Sequence, residues 1–266
     1  MKSLVSLTCI LFVSTLFSPT ARAEIVTFNL NSTLSQLNLT GNAVVTGAGN
    51  FLFATQASGS LSTRFSGSIT ADLNSFLNPT SITFQSANIV GLNSGVWIPD
   101  DNGVPFVGNP PAGFAANYGI EATFGVGAIR GLTFNLGSTG AQAIVGGSFA
   151  NASQQWNHSG GKFDLRAFQI DAGGTSNLTA IGNNLVANTN ATSGIISVAN
   201  GIATMTLPVQ ISIPYSVPGT PAVAGTFIYT GTLTATAVPE PSSIALIAMC
   251  GISYIGTRLR NRKIEK

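Results

Sequence analysis

The stretch ATMTLPVQISIPYSV, residues 203–217, alternates without a break. Ala203, Met205, Leu207, Val209, Ile211, Ile213, Tyr215 and Val217 share one face, with polar residues or proline between them. A period of two marks a β-strand with one buried and one wet face; a helix would need apolar residues three and four apart. Pro208 and Pro214 both occupy the opposite face. Each lacks the N–H that a ladder uses, so the segment reads as an edge strand or as two short strands. After the turn-rich PGTPAVAG (218–225), TFIYTGTLTATA (226–237) repeats the pattern. Phe227, Tyr229, Leu233 and Ala235 take one face, and Thr230, Thr232, Thr234 and Thr236 the other. Two such runs around a turn predict a hairpin.

The same period recurs upstream. In SLSTRFSGSITADL (60–73), Leu61, Phe65, Ile69, Ala71 and Leu73 fall on odd positions, with Ser62, Arg64, Ser66, Ser68, Thr70 and Asp72 between them. Further strands are expected at IVTFNL, QLNLTG, NFLFATQA, SITFQSANIV, YGIEATFGV, AIRGLTFNL, GGSFANA, GKFDLRAFQID, NLVANTN and SGIISVA. Turn signals every ~8–12 residues predict an all-β domain, an antiparallel β-sandwich or barrel. The longest predicted loop is SGVWIPDDNGVPFVGNPPAGFAAN (94–117), with its four prolines. No soluble helix and no strict repeat stand out, which argues against a propeller or solenoid.

The chain has 266 residues, 44% hydrophobic and 8% charged. That length suits one large all-β domain or two small ones. Between Glu24 and Ala237 stand four bases (Arg64, Arg130, Lys162, Arg166) and seven acids, so this middle carries −3 although the whole chain carries +2. No basic patch is present to displace counterions from DNA or RNA, so nucleic acid is not an expected partner. Recurrent alternating aliphatics argue for a folded domain solubilised by hydroxyls and amides rather than by ions. Both cysteines, Cys9 and Cys250, lie outside the middle, which therefore holds neither a disulfide nor a thiolate metal site.

Residues 1–23, MKSLVSLTCILFVSTLFSPTARA, have the order of a secretory signal peptide. Lys2 forms the positive region, Leu4 to Phe17 the apolar region, and Ala21-Arg22-Ala23 an A-x-A cleavage site at Ala21 and Ala23. At the other end, residues 238–266 open with Pro239-Glu240-Pro241. An apolar run from Ile244 to Gly256 follows, then a basic cluster of Arg258, Arg260, Arg262 and Lys263. The run alone is short against the ~20 residues of a membrane helix; counted from Pro239 to Thr257 it approaches the lower limit. The basic cluster beyond it marks a cytoplasmic end, which gives an outside domain, one transmembrane helix and a basic stop inside. The prolines keep the chain extended at their own and the preceding positions.

This ordered tail, about 28 residues long, closely resembles the PEP-CTERM sorting signal of Gram-negative bacteria. The resemblance implies recognition by an exosortase-like membrane enzyme. It also implies an inner-membrane-anchored precursor delivered to the cell surface or extracellular matrix. The run's Cys250, Ser253 and Tyr254 are more polar than that pattern usually shows. The opening VTFNLNSTLSQLNL (26–39) followed by RFSGSITADL (64–73) is similar to the start of YceI-like isoprenoid-binding barrels. That likeness brings a lipid-filled barrel into consideration.

Chemistry is sparse between the ends. The single histidine, His158 in QQWNHSGGK, reads as a loop or strand-end residue; no G-x-S-x-G elbow supports a Ser-His-Asp triad. One histidine without cysteine does not supply the usual zinc ligands. Asp100, Asp101 and Asn102 form an acidic turn. It is the first place to look for a cation, although it lacks the further ligands of a calcium loop. Glu121 falls in a strand pattern with no marked carboxylate partner. Trp97, Trp156 and Tyr118 could stack on sugar rings or pack in a core. No catalytic residue and no cofactor are expected. The expected role is that of an exported structural or interaction protein at the cell surface or matrix, processed by an exosortase-like enzyme. The alternative is a carbohydrate- or lipid-binding β module with surface polysaccharide or lipid as partner; a secreted hydrolase comes last.

Overall fold

A computed structural model describes residues 24–99, 113–167, 173–219 and 222–238. Its strands, in chain order, begin with β1 (Glu24–Leu30), β2 (Gln36–Val45), β3 (Gly49–Leu52), β4 (Ala54–Thr55), β5 (Ser62–Leu73) and β6 (Ser81–Gly91). There follow β7 (Gly95–Trp97), β8 (Phe114–Ala116), β9 (Tyr118–Ala122), β10 (Gly125–Ser138), β11 (Gln142–Ala143) and β12 (Ser148–Phe149). The last six are β13 (Gln154–Ala167), β14 (Gly173–Asn177), β15 (Val186–Ala187), β16 (Gly194–Ala199), β17 (Ile202–Val217) and β18 (Val223–Ala237). One turn of helix, α1 (Leu178–Ile181), stands among them. The fold is all-β, with one large antiparallel sheet.

The predicted C-terminal hairpin is its longest ladder, running from Ala203 opposite Ala237 to Val217 opposite Val223. All eight alternating residues of β17 that the sequence placed on one face are buried. β17 is a single strand, not two. Its even-numbered backbone groups turn away from β18, as Gln210 shows by bonding in that direction to Asn188 and Thr189. Pro208 and Pro214 share that parity, and β16 has ended at Thr206, so neither proline removes a rung. The edge-strand reading thus holds for the distal half of β17 only.

β18 divides its other edge. β2 pairs with it from Val223 to Thr232, and β1 takes over at Ala235 and Thr236. Ser35 fills the junction. Its hydroxyl donates to Thr234 O and accepts from Thr234 N–H, both at 3.0 Å. β5 carries β1 and β2 on its far side and pairs with β6; β6 meets β10, and β10 pairs with β13. The sheet then rejoins itself. Asn188 N–H donates to Gln154 O at the base of β13 (3.3 Å), and Thr189 N–H donates to Gln210 O of β17 (2.8 Å). A second connection runs from β6 through β11, the Val145–Ser148 bridge and β12 to β16.

One hydrophobic cluster forms the core. Phe134 stands at its centre, edge-on to Tyr229 (centroids 4.9 Å apart), stacked with His158 (5.4 Å) and edge-on to Trp156 (6.2 Å). Phe227 stacks on Tyr215 at 4.2 Å. Offset and T-shaped pairs of this kind add ~0.5–1.5 kcal/mol each beyond their burial.

Two segments that bear on the site or the core differ from the sequence expectation. The ends of the long 94–117 loop pair as the β7–β8 ladder, Gly95 opposite Ala116 and Trp97 opposite Phe114. QQWNHSGGK (154–162) lies within β13, so His158 stands inside a strand rather than in a loop or at a strand end. Gln154, Trp156 and His158 are buried at even positions; from Phe163 to Arg166 both parities are buried, and the hydrophobic core residues Phe163 and Leu165 are the odd ones. The ladder with β10 slips between Arg130 and Phe134, opposite Gly160, and that irregularity resets the phase.

Candidate functional site

Two surface depressions flank β7. The first, about 420 Å3, is lined by Gln56, Val96, Trp97, Ile98, Glu121 and Val126, among others. Glycine sets the position of Trp97. A Cβ on Gly95 or Gly119 would come within 2.5 or 2.6 Å of the indole, so the ring rests on bare backbone at both. Trp97 Nε1–H donates to Ser94 Oγ at 2.9 Å, and the Ser94 hydroxyl donates to Asn117 O at 2.6 Å. Gln56 holds the segment after β7: its Oε1 accepts Ile98 N–H (3.0 Å) while its Nε2 faces the carbonyls of Ile98 (2.6 Å), Ile120 and Gly127 (both 3.0 Å).

Beneath this depression lies a buried ion pair. Arg130 Nη1 bonds Asp164, whose second oxygen accepts the Thr175 hydroxyl of β14. Arg130 Nη2 reaches outward to Trp97 O at 2.9 Å and to Pro99 O. Both charges are almost completely buried. The pair therefore ties the C-terminal end of β7 to β10, β13 and β14. Asn117, also fully buried, joins the neighbouring strands. Its Nδ2 donates to Gly91 O (2.8 Å) and Leu92 O (3.0 Å), and its Oδ1 accepts Leu132 N–H (2.8 Å). It sits where the edge of β10 passes from β9 to β6.

The second depression, about 460 Å3, is lined by Gln36, Gly59, Ser62, Arg64, Leu92, Asn93 and Ser94. Arg64 lies opposite Gln36 in the β2–β5 ladder, and its carbonyl accepts Leu92 N–H at 2.8 Å. Its side chain points out of the sheet and, among the described residues, has no hydrogen bond or ion pair.

The residues singled out from sequence are dispersed. Trp156 and Tyr118 are fully buried in the core; of the three aromatics considered for sugar stacking, Trp97 alone lines a depression. Glu121 is exposed beside Trp97. His158 is sealed inside. Its Nδ1 faces Gly182 O at 3.0 Å and its Nε2 the Tyr229 hydroxyl at 3.1 Å. A carbonyl only accepts, so Nδ1 carries the proton and Nε2 accepts from Tyr229. Burial lowers the His158 pKa to about 4 and pushes the Tyr229 phenol well above its usual value. Among the described residues no three His, Cys, Asp or Glu side chains converge. Asp100, Asp101 and Asn102 lie outside the described residues. So do Ala21, Ala23, Pro239, Glu240, Pro241, Arg258, Arg260, Arg262 and Lys263. No described helix is long and apolar enough to cross a membrane.

Sequence reasoning missed the Arg130–Asp164 pair and the junction amides Asn117 and Asn188. Their partners lie far away in the chain, and no spacing rule marks them. Comparison with family models, curated proteins and solved structures returned no match.

Proposed function

We propose that this chain is an exported surface or matrix protein, sorted through its Pro-Glu-Pro tail, whose β domain acts by presenting its outside to a partner. We read the rejoined sheet as a barrel filled by its own side chains. The filled interior is the observation that carries the proposal. Phe134, Trp156, His158, Phe227 and Tyr229 occupy the space that an enclosed lipid would need, and all five are fully buried. Recognition is thereby left to the outer surface, where the two depressions beside β7 lie. The leader-like first 23 residues and the tripartite tail support export and sorting. A secreted hydrolase has least support, because both nitrogens of the one histidine are engaged inside the core.

The test compares wild type with a variant carrying alanine at Pro239, Glu240 and Pro241 in the native host. Membrane and surface fractions are separated and intact masses measured. Alanine favours helix and adds no charge, so insertion is expected to survive. Processing is expected to fail, with full-length protein retained in the inner membrane. A variant that reaches the surface with the wild-type C-terminal mass would overturn the sorting role.

A binding module for surface polysaccharide is the second reading. It is favoured by Trp97, whose half-buried indole edges the first depression.

A further inference from the structure

We propose that the depression around Arg64 binds the carboxylate of an acidic sugar, a uronate unit within a polysaccharide. This adds the second depression to the polysaccharide-binding reading, names one ligand class for it, and rests on that reading.

The shape of the site follows from strand forking. Residues 62–64 of β5 pair with β2 on one edge, while Leu92 N–H bonds Arg64 O on the other. The chain then leaves β6 and rises through Asn93 and Ser94 into β7, which makes one wall. Ser94 is a fixed part of that wall, because its hydroxyl is shared between Trp97 and Asn117. The opposite side carries Gln36 and Ser62, already bonded to each other through Gln36 Nε2 and Ser62 Oγ. That bond leaves the Gln36 carbonyl oxygen and the Ser62 proton available to a ligand.

The charge pattern selects the ligand. Arg64 is exposed and has no partner among the described residues, and none of the seven lining residues is acidic. A guanidinium presents two parallel N–H groups that match a planar carboxylate, a closer fit than to a hydroxyl or a spherical ion. The surrounding amides and hydroxyls suit the hydroxyls of the sugar, and Leu92, 38% exposed, offers an apolar contact for its ring C–H groups. Residues 24–237 carry −3 overall, so no general field gathers polyanions. Recognition here is local, one carboxylate at one arginine.

The experiment titrates the full-length chain, held in neutral detergent, with short oligogalacturonates by calorimetry. The methyl-esterified oligomers and inorganic phosphate serve as controls. The expected result is saturable binding of the acid oligomer, weakened about tenfold or more by esterification and by Arg64→Gln. Arg64→Gln should leave the thermal midpoint unchanged, since that side chain is exposed and has no hydrogen bond or ion pair among the described residues. Arg64→Lys should recover only part of the affinity, because an ammonium lacks the fork. No saturable binding, or unchanged binding by Arg64→Gln, would overturn the site. Displacement by phosphate at the same concentration as by free oligomer would overturn the sugar assignment, leaving a simple anion site. Export and sorting are read separately by fractionation, so their failure is distinguishable from failure here.

Discussion

His158 is held neutral by burial, which outweighs the opposite pull of Gly182 O on its Nδ1–H. Its pKa is about 4 in the folded chain against an ordinary 6.5. Between those values the unfolded chain binds a proton that the folded chain refuses. Stability therefore falls as pH drops from about 6.5 to about 4 and is not eroded further by this group below that. The full effect is about 3 kcal/mol. Removing the titration with His158→Gln should lower stability at neutral pH while flattening its dependence over this interval. Urea unfolding at about pH 7 and about pH 4 checks this; equal losses in variant and wild type would reject the assignment. The sequence showed one histidine among polar neighbours and nothing of this arrangement, because Tyr229 and Gly182 come from distant parts of the chain.

At the level of elements, legibility tracked the regularity of alternation. β17 and β18 keep one phase from end to end, and their buried faces were readable residue by residue. β13 shifts register near Gly160–Gly161, and the segment around His158 read as a loop or a strand end. Short rungs such as β7–β8 depend on partners that local pattern does not reveal, and the fork beside Arg64 exists only once β2, β5 and β6 are assembled. The β17 assignment is testable with adjacent substitutions. Ile211 is fully buried and Ser212 is exposed on the opposite face. Ile211→Asp should destabilise the domain by more than ~4 kcal/mol, since it buries an unpaired charge. Ser212→Asp should stay within ~0.5 kcal/mol. Denaturation midpoints for the two decide it, and similar shifts would mean that the faces are misassigned.

For the molecule as a whole, the seam that joins β13 to β17 matters most. Asn188 behaves there like a missing piece of strand. Its side chain donates to Pro208 O (2.8 Å) and Gln154 Oε1 (2.8 Å) and accepts Gln210 N–H (3.0 Å). Asn188→Leu keeps the volume and removes all three bonds, stranding Pro208 O and Gln210 N–H, each at about 1–3 kcal/mol when buried. Several kcal/mol of destabilisation are expected, with faster amide exchange at Gln210; Asn184→Leu, at an exposed position, serves as the control. An unchanged exchange rate at Gln210 would show that the seam does not close the sheet. The division of β18 between two neighbours has a mechanical consequence. Its rungs run crosswise to the strand, to β17 on one side and to β1 and β2 on the other. Traction applied at Ala237 and directed along the strand loads those rows in shear, so the rungs share the force and must give way together. A strand pulled from its edge would instead unzip one rung at a time, under far less tension.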